Sequence, residues 1–103
     1  MKDLNQQQWR EELAKDTDAV IIDVRTEFEI AEGYIPNAIH LDIMNAGLFM
    51  DGANKLDKEK NYFVYCKAGG RSAQACMIME SIGFKNTYNL MGGFSQWDGE
   101  TTI

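Results

Sequence analysis

Two apolar runs, each leading into a turn and then a helical pattern, constrain this chain more than any other feature. Ala19-Val20-Ile21-Ile22 leads into Asp23-Val24, and Tyr62-Phe63-Val64-Tyr65 leads into Cys66. A strand with one wet face alternates apolar and polar residues. A short run that is apolar at successive positions reads instead as a strand covered on both faces. Double cover requires helices on both sides of a sheet, and helical patterns stand between the runs. The expectation is an α/β domain built on a mainly parallel sheet.

The rest of the chain fits that scheme. At 103 residues it is the size of one domain, taken here as residues 1–103. Asn5 is placed to cap a first helix with Gln8 as its capping-box partner, and Leu4 and Trp9 are spaced as a hydrophobic staple. Thr26 and Glu29 form a second capping box before a short helix that Gly33 ends. Ala38 to Leu41 reads as a short strand after Pro36. Residues 42–60 carry little pattern: Asp51-Gly52 marks a turn, and Lys55 to Lys60 is mostly charged. A helix beginning near Arg71 puts Ala75, Met79 and Ile82 on one side and ends near Gly83. Asn86 to Leu90 reads as a last strand, followed by a Gly92-Gly93 turn and a short helix over Phe94 to Trp97.

Charge and cysteine usage exclude several classes. Sixteen acids against ten bases give a net charge of −6, whereas a nucleic-acid binder needs a basic face. No apolar run exceeds five residues, so neither a membrane span nor a signal-peptide core is expected, and the cytoplasm is the expected compartment. Cys66, Cys76 and the single histidine, His40, are too few for a zinc site, and the cysteines show no CxxC spacing. No metal or organic cofactor is expected.

Chemistry concentrates in one segment. Cys66 follows a buried strand, and Lys67-Ala68-Gly69-Gly70-Arg71-Ser72 leads into a helix. Ligands bind at the carboxyl ends of parallel strands. A helix start offers unpaired N–H groups and the positive end of a dipole, and a glycine-bearing turn curls further N–H groups inward. Lys67 and Arg71 add two full charges. All of these favour thiolate at Cys66. A cysteine of ordinary pKa is about 3% ionised at pH 7, and lowering that pKa by two units makes it roughly three-quarters thiolate. The segment reads as an activated cysteine in an anion cradle; the competing reading is a buried structural cysteine before a glycine-containing turn.

Three stretches carry a family resemblance. Asp23-Val24-Arg25 with Glu27-Phe28 and Gly33-Tyr34-Ile35-Pro36-Asn37-Ala38 is similar to a DVR and G-H-I-P-G-A pattern. Tyr65-Cys66-Lys67-Ala68-Gly69-Gly70-Arg71-Ser72-Ala73 is similar to a YC-x-x-G-x-R-S loop. Leu90-Met91-Gly92-Gly93-Phe94 with Trp97 is similar to an L-x-G-G-x-x-x-W ending. The chain therefore resembles the rhodanese (thiosulfate sulfurtransferase) family in its single-domain form. Tyr34 stands where that family carries histidine, and Asn37 where it carries glycine.

The resemblance implies a three-layer domain with a five-stranded sheet and helices on both faces. It also implies a ping-pong transfer. Cys66 thiolate takes the outer sulfur of a small anionic donor such as thiosulfate, becomes a persulfide, and passes the sulfur to a thiol, cyanide or a protein acceptor. Lys67, Ala68, Gly69, Gly70, Arg71 and Ser72 would cradle the persulfide.

Among individual residues, Arg71 either contacts the donor anion or ties the loop to a carboxylate. Lys67 either steers a donor or is an ordinary surface lysine. Asp23 and Arg25 are family positions, but a strand-end ion pair that fixes loops explains them better. His40 reads as a structural residue, Cys76 as a small core residue, and Trp9 and Trp97 as core or lid aromatics. Gly92 and Gly93 are expected to permit close backbone approach near the loop.

Two other functions compete. Cysteine phosphatases and arsenate reductases use Cys-x5-Arg; here four residues separate Cys66 from Arg71, a smaller cradle suited to a single sulfur atom. A non-catalytic binding or regulatory module would not need Cys66, both glycines and Arg71 together, whereas a sulfur carrier slow with thiosulfate would keep them all.

Overall fold

The sheet contains five strands in the order β1-β5-β4-β2-β3, and every pairing is parallel. A computed structural model describes all residues, Met1–Ile103. The elements run β1 (Lys2–Leu4), α1 (Gln6–Ala14), β2 (Val20–Asp23), α2 (Glu27–Ala31), β3 (Ile39–His40), α3 (Ala46–Asn54), β4 (Asn61–Tyr65), α4 (Gly70–Ser81) and β5 (Asn86–Leu90), with a final 3-10 turn over Phe94–Gln96.

Both expected capping boxes form, Asn5 with Gln8 and Thr26 with Glu29. The strand pleat then divides the core. Tyr62, Val64 and Cys66 join Ile22, Val24, Phe49, Ala75, Cys76 and Met79 on the face covered by α3 and α4. Phe63 and Tyr65 join Trp9, Ile35 and Leu90 on the α1 face. Trp9 lies edge-on to Phe63 and to Trp97, with centroids 5.6 and 5.7 Å away. Trp9 is therefore a core aromatic, and Trp97 packs half-buried against it.

Strand order places the site. From β1 the chain moves across the sheet to β2 and then β3. It then reverses, through α3 to β4 and through α4 to β5. Right-handed crossovers put the helices of opposite directions on opposite faces. The adjacent strands β2 and β4 send their carboxyl-terminal loops apart, which opens the crevice where ligands of such sheets bind. Arg25 and Cys66 follow those two strands.

Two local expectations need correction, and one strand comes in addition to them. Strand β1, three residues long and too short to show a period, pairs Asp3 with Asn89 and Leu4 with Leu90. Asp51-Gly52 is not a turn but lies inside α3, whose Phe49 and Ala53 are buried. Gly52 serves close packing there, since a Cβ on it would come within 2.4 Å of Leu41 Cδ2. The strand read over Ala38 to Leu41 shrinks to Ile39–His40 at the sheet edge, both exposed. Asn37, by contrast, explains its own departure from glycine. Its φ is 70°, and asparagine is the residue that best tolerates that region after glycine.

Candidate active site

Cys66 leaves β4 on the α4 face and is almost fully buried, 1% exposed. The turn that follows is closed by Gly69 in a left-handed conformation, φ 108°. Helix α4 then starts at Gly70 with no side-chain cap, so the sulfur occupies the place a capping oxygen would take. Gly69 N–H donates to Cys66 Sγ at 3.0 Å, and the Ser72 hydroxyl lies 3.3 Å from the same atom. Burial pushes the thiol pKa up. The Ser72 hydroxyl and the N–H groups of Ser72, Gly69 and Ala68 outweigh that and hold it below the ordinary cysteine value. Cys76 shows the contrast: buried in α4, it gains too little from the Thr87 hydroxyl to offset burial, and its thiol is pushed up to about 12. It is the small core residue the sequence suggested.

The chain's last segment forms a floor under the loop. Phe94 N–H donates to Cys66 O at 2.8 Å and Ser95 N–H to Lys67 O at 2.9 Å. A Cβ on Gly93 would lie 2.5 Å from Lys67 O and 2.6 Å from Cys66 O, so the expected close approach is real and admits only glycine.

Arg71 is tied to a carboxylate. It donates to Glu29 Oε1 at 2.8 Å and Oε2 at 2.9 Å, and this guanidinium holds the Glu29 carboxyl down at about 2. Glu29 thus caps α2 and anchors the start of α4. In the sequence Glu29 shows only as a cap; a carboxylate with a spare oxygen and an arginine with no local partner are the signals for the pair. Lys67 and Ala68 are exposed at the mouth, and Gly70 has open space where a Cβ would point.

Asp23 and Arg25 form a buried, bidentate pair at the end of β2, with contacts of 2.7 to 3.1 Å. Arg25 also donates to Gly33 O at 2.8 Å and lies 4.2 Å from the Phe94 ring centroid. It joins β2, the loop after α2 and the floor segment. His40 Nε2 donates to Arg25 O at 2.6 Å and completes that corner.

A second set was invisible in the sequence. Buried Asn89 lies with Oδ1 2.5 Å from Ser72 Oγ, while its Nδ2 donates to Asp3 Oδ1 at 2.8 Å and Gly69 O at 3.2 Å. Only strand pairing brings residues 3 and 89 to Ser72.

A cleft of about 180 Å³ opens beside the loop, lined by Arg25, Glu29, Glu32, Lys67, Phe94 and Ser95. A larger one of about 460 Å³ lies over the ends of β2 and β3, lined partly by Phe28, His40 and Leu48. The smaller one touches the loop. No group of three or more His, Cys, Asp or Glu side chains gathers to hold a metal.

The rhodanese-like domain family matches residues 6–100. The chain belongs to that family. YtwF of Bacillus subtilis is 37% identical to this rhodanese-like chain over 101 residues, 98% of this chain and 94% of YtwF. The thiosulfate sulfurtransferase GlpE of Coxiella burnetii is 40% identical over 84% of this chain and 78% of its own. A crystal structure of a rhodanese-like domain protein from Staphylococcus aureus superposes with a TM-score of 0.84 at 32% identity, covering 100% of this chain and 98% of that one. The expected three-layer, five-stranded rhodanese-like architecture is the one observed.

Proposed function

We propose that this chain is a sulfurtransferase of the thiosulfate sulfurtransferase type, working through a persulfide on Cys66. The observation that carries the reading is the sulfur at an uncapped helix start, with Gly69 N–H at 3.0 Å and the Ser72 hydroxyl at 3.3 Å. In the first half-reaction Cys66 thiolate attacks the outer sulfur of thiosulfate. The S–S bond of the donor breaks, sulfite leaves with the bonding pair, and Cys66–S–S⁻ remains. In the second, a thiol or cyanide takes the terminal sulfur and the thiolate returns; a cysteine of an acceptor protein fits the same step. The donors around Lys67 to Ser72 are preorganised for a terminal anionic sulfur. No step requires a metal or organic cofactor.

The length of the loop and the binding of Arg71 support sulfur over phosphate. A phosphatase arginine must point at the oxyanion, whereas both terminal nitrogens of Arg71 are held by Glu29. Lys67 is the free cation at the mouth and is suited to steering an anionic donor. No helix is long and apolar enough to cross a membrane. A reactive thiol of this kind fits the reducing cytoplasm.

The test is intact mass after incubation with thiosulfate. An adduct of one sulfur atom, about 32 Da, on Cys66 and discharged by cyanide is the expected result. An unmodified Cys66 that neither thiosulfate nor a low-molecular-weight persulfide can load would leave the domain a binding module.

A further inference from the structure

Ser72 has one hydroxyl proton and three acceptors in reach: Asn89 Oδ1 at 2.5 Å, Gly69 O at 3.2 Å and Cys66 Sγ at 3.3 Å. The residue is fully buried, so no water shares the task. The Asn89 amide is oriented by its other end. Its Nδ2 faces the Asp3 carboxylate and the Gly69 carbonyl, two acceptors that a reversed amide would meet with its own oxygen. Asp3 therefore holds Asn89 Oδ1 toward Ser72.

We propose that Asn89, oriented by Asp3, is a positioning residue that competes with Cys66 for the Ser72 proton and thereby sets how readily the thiol ionises. The proposal rests on reading Cys66 as the nucleophile. While Cys66 is a thiol, its S–H donates to Ser72 Oγ, and Ser72 donates to Asn89. When Cys66 loses its proton to solvent, Ser72 must turn its hydroxyl to the sulfur and leave Asn89 Oδ1 buried without a donor. That loss opposes ionisation. The chain thus restrains the thiolate that the helix start and the loop N–H groups promote. A persulfide, whose charge lies one sulfur farther out, leaves Ser72 free to stay on Asn89.

The other charges facing this assembly are few. Arg71 of α4 faces Cys66 and is itself paired with Glu29 of α2 and near Asp42, while Lys67 lies exposed in the loop. On the Asp3 side, the amino terminus is paired with Glu80.

The test is the pH profile of Cys66 alkylation by iodoacetamide, an uncharged reagent, followed on the Cys66 peptide by mass spectrometry. Asp3→Asn keeps the shape of an exposed side chain but lets the facing amides pair either way. Asn89→Leu removes the competing acceptor without changing charge. Both should move the midpoint to lower pH, with alkylation below the midpoint about threefold faster, equivalent to half a pH unit. In Ser72→Ala, the further change Asp3→Asn should do nothing.

A purely structural role predicts the opposite for Asn89→Leu, since a loosened loop loses donors and the midpoint rises. A rise or no movement in folded Asn89→Leu overturns the proposal. So does an Asp3→Asn shift that survives in Ser72→Ala, because it would be the direct field of the carboxylate. If Asn89→Leu does not fold, the Asp3 and Ser72 pair decides alone. Alkylation reads ionisation whether or not sulfur moves. A shifted profile without persulfide formation therefore defeats the sulfurtransferase reading and leaves the positioning role standing.

Discussion

Replacing Gly93 with alanine tests whether the floor segment positions the reacting sulfur. The new Cβ would lie 2.5 Å from Lys67 O and 2.6 Å from both Cys66 O and Lys67 C, all of them backbone atoms of the candidate loop. Carbon and oxygen at ordinary contact need at least 3 Å or more, so the Cys66–Lys67 peptide or the floor must move by roughly 0.5–1 Å. Neither can move freely, because Phe94 N–H and Ser95 N–H bond the same two carbonyls at 2.8 and 2.9 Å. The backbone of Gly93, φ 58° and ψ −159°, adds strain of about 1–3 kcal/mol for any residue with a side chain.

A misplacement of about 1 Å at the reacting atom costs on the order of a hundredfold in rate. We therefore expect Gly93→Ala to lower Tm and to reduce thiosulfate:cyanide sulfurtransfer by about ten- to a hundredfold in the fraction that remains folded. Circular dichroism and a stopped cyanolysis assay below Tm separate the two effects. Gly47→Ala is the control. It lies in the first turn of α3, where an added Cβ would meet nothing within 4 Å, and it should stabilise by up to about 0.5 kcal/mol with activity unchanged. A folded Gly93→Ala with the wild-type rate would refute the idea that this floor holds the cradle in register.

Three further outcomes are expected. Cys66→Ser should abolish sulfurtransfer while Cys76→Ser keeps most of it, since Cys76 is buried and its thiol is pushed up to about 12; a dead Cys76 variant would reverse the assignment. Glu29→Gln should loosen Arg71 and flatten the acid limb of the stability profile. The folded carboxyl titrates at about 2 against an ordinary 4.5, so its contribution is present above 4.5 and lost as pH falls from there through about 2. For a partly exposed pair the full contribution is roughly 1–2 kcal/mol, of which rather more than half is lost by pH 3, read as the difference in urea midpoint between pH 7 and pH 3. Inserting one glycine between Ala68 and Gly69 should reduce sulfurtransfer at least about tenfold, or 1.4 kcal/mol, by widening the cradle; an unchanged rate in a folded variant would reopen the phosphatase reading.

Local chemistry wrote much of this protein into its sequence. Two capping boxes and a both-parity strand depend on residues close in the chain, and each forms as expected. Cys66 with its glycine turn and helix start is likewise a contiguous segment, so its donors follow from backbone geometry. What tertiary structure alone decided is which distant groups meet that segment. The length of β1 was too short to show a period, yet its pairing with β5 delivers Asp3 to Asn89 and Ser72. Glu29 and Arg71, 42 residues apart, pair because α2 and α4 both start at the carboxyl end of the sheet, after the adjacent strands β2 and β4. In α3, the need to cover Val24 and Val64 with Phe49 and Ala53 overrode the turn signal of Asp51-Gly52. Pattern reports what one stretch of chain prefers; strand order and packing choose its partners, and those contacts carry no local signature.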